Sequence, residues 1–152
     1  MPATAARSLA SPSPVAQRLA HAGLLPFVIG ALLVWLIGDR DLDAHAFVAT
    51  ALSSYAALII SFLGGIYWGF AFRESAPSAQ TFAWGITPSV LAWVGVLMPP
   101  YAGLVVHGAV LVVCYLVDRR LYPRHGAAVW LTLRFRLTAV AALSCFLGAA
   151  GS

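Results

Sequence analysis

The chain has 152 residues, 61% of them hydrophobic and only 9% charged, with a mean hydropathy of +0.88. A soluble domain carries roughly a quarter charged residues, so this composition excludes one and places the chain among integral membrane proteins. The formal charge of +4 and pI near 9.6 invite a nucleic-acid partner, but the arginines sit between apolar segments, where membrane orientation accounts for them.

Residues 1–18 are acid-free and rich in Ser and Pro. They are expected to form a disordered cytoplasmic tail, although a mitochondrial transit peptide has the same character. A helix crosses a bilayer in about 20 residues, and five apolar stretches approach that length: residues 19–37, 45–72, 81–98, 101–117 and 137–151. The expected fold is all-α, a single domain of five transmembrane helices over residues 19–151. The fifth stretch is short, about 22 Å if straight, so residues 127–136 are read as an interfacial helical lead-in.

In the first span Pro26 lies seven residues in, and Pro88 lies equally far into the third. Each removes a backbone donor and is expected to kink its helix. The loop after the first span contains "DRDLD", Asp39 to Asp43, which resembles the opening of a calcium loop. Ala44 then stands where a glycine is required and Thr50 where a bidentate glutamate belongs, so the loop is read as solvated. Asp43 is expected to cap the helix that follows.

The second span contains "SFLGGIYWGF". Every fourth residue along it, Ser53, Ala57, Ser61, Gly65 and Gly69, is small. Such a row lets helix backbones approach closely in lipid, and it is read as the helix-packing row of the bundle. The fourth span carries an ionisable side chain deep in apolar sequence, His107. Counting depth on antiparallel neighbours puts Ser53, Ser54, Tyr55, Ala92, Trp93, Ser144 and Cys145 in its layer, with Ser54, Tyr55 and Ser144 as the candidate polar site. His107 is then structural glue in one reading, and a proton relay or ligand contact in the other. Cys114 and Cys145 occupy apolar positions as small fillers. No paired carboxylates, nucleophile–base pair, phosphate loop or metal-ligand spacing is apparent. No catalytic, cofactor or metal residue is therefore assigned, and no enzymatic activity is expected.

Arg119, Arg120, Arg124, Arg134 and Arg136 cluster between the fourth and fifth spans, where they are candidates to contact lipid headgroups. With Arg7, Arg18 and Arg73 they place eight arginines on one side against Arg40 alone on the other. That bias predicts the N-terminus inside and the C-terminus outside.

Four pieces in order, "GLLPF", "YAALIISFLGGIYWG", "TPSVLAW" and "LRFRLT", resemble the domain of unknown function 3429 family, to which eukaryotic transmembrane protein 69, associated with mitochondria, belongs. "SFLGGxxWG" is the specific part. The resemblance implies a multi-spanning membrane protein and assigns no activity. All nine basic residues are arginine and alanine is abundant, which points to a GC-rich bacterial genome and an inner (cytoplasmic) membrane. The mitochondrial inner membrane is the alternative. The expected function is a non-catalytic structural, interaction or assembly module. Its partners would be membrane lipids and another membrane protein or a second copy of itself, without nucleic acid. The competing expectation is a small oligomeric transporter or channel with a polar site near His107.

Overall fold

The computed structural model describes residues 11–152, with no strand among them. Six α-helices follow in order: α1 Pro14–Ala22, α2 Leu25–Ile37, α3 Leu42–Ala71, α4 Ala79–Leu97, α5 Pro100–Leu121 and α6 Leu131–Ala150. Residues 1–10 of the expected tail lie outside the described residues. From Pro14 the tail is already helix, its first turn capped by the Ser13 side chain, which accepts from the Ala16 N–H.

The first apolar stretch is thus two helices. Pro26 stands in the first turn of α2 rather than within a continuous span, a position where its missing N–H goes unneeded. The break falls at Gly23–Leu24, and Tyr55 of α3 seals it by donating to the Gly23 carbonyl at 2.8 Å. Asp41, not Asp43, caps α3: its Oδ1 accepts from the Ala44 N–H at 2.9 Å. At 30 residues, α3 is about 45 Å long. Helices α5 and α6 both overrun their expected limits. Asp118 belongs to α5, and from Leu131 onward the expected interfacial lead-in is part of α6.

Contacts between helices fix their directions. Tyr67 reaches Asp118 and Ser53 reaches His107, so α3 and α5 run parallel. Gly64 meets Gly85 while Gly95 meets Gly103 and His107, so α4 returns between them. Arg134 meets Asp118 and Phe146 meets Gly108, making α6 antiparallel to α5. Beside α6 lies α2, where Trp35 Nε1 donates to the Leu147 carbonyl at 2.9 Å. One end of the bundle therefore gathers Arg73, Arg119, Arg120 and Arg124. The opposite end holds Asp39, Arg40, Asp41 and Asp43, with His45 Nε2 2.8 Å from the Gly151 carbonyl oxygen.

The interior is filled by residues such as Phe27, Ala56, Ile60, Leu104, Leu111 and Cys145. Large side chains also cover the outside: Leu32, Leu58, Phe62, Val105 and Leu143 all face outward. A continuous apolar surface of that kind suits lipid rather than water. Four segments are long and apolar enough to cross a membrane, Pro14–Arg40, Leu42–Ala71, Pro100–His125 and Ala128–Ala150. Helix α4 is not among them, because Gln80, Thr81, Thr87, Pro88 and Ser89 dilute its apolar character.

The small-residue row does not pack along its length. Ser53 is buried, Ala57 and Ser61 are half-buried, and Gly65 and Gly69 face open space, with no atom within 4 Å of where a Cβ would stand. The physical reason is drift, since a strict i+4 row turns about 40° around the helix at each step. The close approach belongs instead to Gly64, where a Cβ would collide with the Gly85 carbonyl oxygen.

Candidate functional site

Helices α3, α5 and α6 meet near the arginine-rich end around one carboxylate. The Tyr67 hydroxyl donates to Asp118 Oδ1 at 2.5 Å, and Arg134 donates to Oδ2 through Nε at 2.9 Å and Nη2 at 2.5 Å. Tyr67 and Asp118 are each 2% exposed and Arg134 8%. The rings of Phe70, Trp84, Tyr122 and His125 surround Tyr67. A charge enclosed in this way persists only if it is paired and hydrogen-bonded, and here both carboxylate oxygens are satisfied. Arg134 therefore turns into the bundle instead of reaching headgroups as expected, while Arg119, Arg120, Arg124 and Arg136 are exposed. Just outside, His125 Nδ1 lies 3.1 Å from Glu74 Oε1, and its ring stacks on Phe70 with centroids 4.7 Å apart. The turn after α5 is thereby tied to the end of α3.

A second polar cluster surrounds His107, which is fully buried. Its Nε2–H donates to the Ala92 carbonyl at 2.9 Å, leaving Nδ1 to accept from the Ser53 hydroxyl at 3.2 Å. One neutral tautomer satisfies both nitrogens. Gly95 leaves room for the ring, since a Cβ there would lie 2.5 Å from Nε2. Of the expected layer, Ser53 and Ala92 bond His107, whereas Ser54 is exposed, Tyr55 is bonded to Gly23, and Ser144 is buried on α6 without a bond to His107. Ser53 is also a member of the small-residue row. Pro88 is buried inside α4, on the side that meets Gly64.

The third feature is a cavity of about 710 Å³ bounded by α1, α2, α3, α5 and α6. Its walls are apolar, and its polar members are Arg73, Tyr122, Arg134 and Thr138. His107 is not part of its lining.

The sequence reading missed the Asp118–Arg134 pair altogether. The available signal was an acid directly after the apolar run of the fourth span, in a chain with only five acids.

All six helices fall inside the stretch, residues 12–150, that matches the family model described as "Protein of unknown function (DUF3429)". Transmembrane protein 69 of Xenopus tropicalis is 36% identical over 142 residues, covering 88% of this chain and 53% of the frog protein. Transmembrane protein 69 of Mus musculus is 36% identical over 92 residues, covering 59% of this chain and 36% of the mouse protein. The chain thus spans about half the length of the frog relative and less of the mouse one. No solved structure matches it. Helical content, lipid-suited surface and sequence agree: this integral membrane protein belongs to the DUF3429 family.

Proposed function

We propose that the protein is a non-catalytic structural or interaction module of a membrane, crossing it five times with the arginine-rich end inside. One observation carries this: the buried ionisable groups are taken up by partners within the bundle. Asp118 is held by Tyr67 and Arg134, and both nitrogens of His107 are engaged. Nothing in that arrangement is poised to exchange a proton with a substrate, whereas every bond in it joins two helices.

Five crossings are supported by the parallel run of α3 and α5, because the chain must return between them and α4 is the segment that does so. The inside assignment rests on the positive-inside rule. The all-arginine, alanine-rich composition favours a bacterial inner membrane, with the mitochondrial inner membrane as the alternative. Gly65 and Gly69, open on α3, offer a face on which a helix of a second copy or another membrane protein can seat.

The test is gentle solubilisation and cross-linking in native membranes, comparing wild type with Gly65→Leu and His107→Ala. Gly65→Leu is expected to lose the associated chain and keep its melting behaviour, while His107→Ala melts earlier and keeps the association. A protein that remains a lone monomer throughout would overturn the module. The cavity favours transport as a second reading, but His107 lies outside its lining and cannot gate it directly.

A further inference from the structure

The cavity of about 710 Å³ lies within the size range of sites that hold small ligands, roughly 300–1,000 Å³. Along α3 its wall runs from Ile59 to Arg73, about 21 Å at 1.5 Å per residue. That is the depth of one leaflet with its headgroup layer, given a hydrocarbon core of about 30 Å. The deep part is walled by Phe27, Ile59, Leu63 and Ala141, and the polar members gather toward the arginine-rich end. No acidic side chain lines the cavity.

One charged group there is left for a ligand. Arg73 is exposed at the end of α3 and forms no ion pair among the described residues; neighbouring Glu74 lies against His125. Arg134, 8% exposed, is already committed, giving Nε and Nη2 to Asp118 and lying within hydrogen-bonding reach of Tyr122. Thr138, one turn along α6, is 5% exposed, and its Oγ1 is buried with no hydrogen-bond partner. An unpartnered buried hydroxyl is costly, above all where no water is available to rescue it. That oxygen has almost no accessible surface, so it lies behind the cavity wall and out of reach of a ligand.

We infer that this cavity holds one acyl chain of an anionic glycerophospholipid from the arginine-side leaflet. The phosphate sits at Arg73, and the chain runs inward along the apolar wall. The apolar wall takes the chain, and the arginine at the mouth selects negative charge.

Trp130 stands in the cavity wall and serves as reporter. The protein is reconstituted in phosphatidylcholine, and brominated-chain phosphatidylglycerol is titrated in. The Trp130 contribution is isolated by subtracting the signal of Trp130→Phe. Quenching is expected to saturate at a mole fraction about fivefold lower than with brominated-chain phosphatidylcholine, the preference expected of one arginine near anionic lipid. Arg73→Gln, a change outside the packed core, removes most of that preference, and Ala141→Phe fills the chain slot and removes the saturable part. Equal quenching by the two lipids, or saturation unchanged in both variants, overturns the assignment.

Discussion

Asp118 is an anion in a helix that otherwise reads as membrane-spanning, and its three donors explain how it stays there. Transfer of a lone carboxylate out of water is prohibitive, so its persistence depends on Arg134 for charge and Tyr67 for the remaining oxygen. Removing one member leaves the other stranded. Asp118→Asn and Arg134→Gln are each expected to destabilise the bundle by about 3–5 kcal/mol, the usual cost of breaking a buried pair from one side. Tyr67→Phe, which removes a single donor to a charged group, should cost about 1.5–3 kcal/mol. The Asp118→Asn/Arg134→Gln double variant should fall well short of the sum, because neither partner is then left uncompensated. Denaturation of the micelle-bound protein followed by circular dichroism measures all four, and wild-type stability in Asp118→Asn would remove the pair from the account. At this scale the sequence was half legible. His107 stood out as an isolated polar residue in apolar sequence. Its partners Ser53 and Ala92 lay in the layer that depth marked out, but depth says nothing of the direction a side chain faces and so did not separate them from Ser54 and Tyr55. Asp118 was hidden because the expected span ended one residue before it.

Helix α3 shows the same limit over eight turns. Its buried positions include Ala49, Ser53, Ala56, Ile60, Leu63, Tyr67 and Ala71, which mix steps of three and four and so hold one face. The row that steps by four throughout turns about 160° between Ser53 and Gly69, carrying its last members to the far side. Small residues at regular spacing were visible in the sequence; the face they occupy depends on where neighbouring helices lie. Gly64 and Gly65 are adjacent and chemically identical, and the structure separates them completely. Gly64→Leu would drive a side chain into the Gly85 backbone, overpacking that typically costs about 1–3 kcal/mol and here meets unyielding main chain. We expect Gly64→Leu to melt markedly earlier than wild type, and the same change at Gly65 to melt with it. Matched thermal scans of the two variants decide the point, and equal behaviour would mean that α3 and α4 do not meet at Gly64–Gly85.

For the whole molecule, the informative property is that its two ends differ. Because α3 and α5 run parallel, their C-terminal ends share one side, which the Glu74–His125 contact records directly. The junction at Met98 and Pro99 must then lie at the end that carries Asp39 and Asp41. The apolar content of α4 alone does not establish a crossing, so the packing of its neighbours carries the argument. Polar residues of α4 are tolerable in lipid where they are shielded: Thr87 donates to the Ala83 carbonyl at 2.9 Å, and Pro88 is buried against α3. The arrangement is open to chemical mapping because both native thiols, Cys114 and Cys145, are buried and can be replaced by alanine. In that background, single cysteines at Arg40, Met98, Arg124 and Ser152 report the side of each end to a membrane-impermeant maleimide applied to intact cells. Positions 40, 98 and 152 should label, and 124 only after the membrane is opened. Labelling of 124 with protection of the other three would invert the molecule and leave its packing intact. Labelling of 98 together with 124, and not with 40, would instead bring α4 back to the side it started from. The parallel run of α3 and α5 that the Tyr67–Asp118 and Ser53–His107 contacts require would then be untenable.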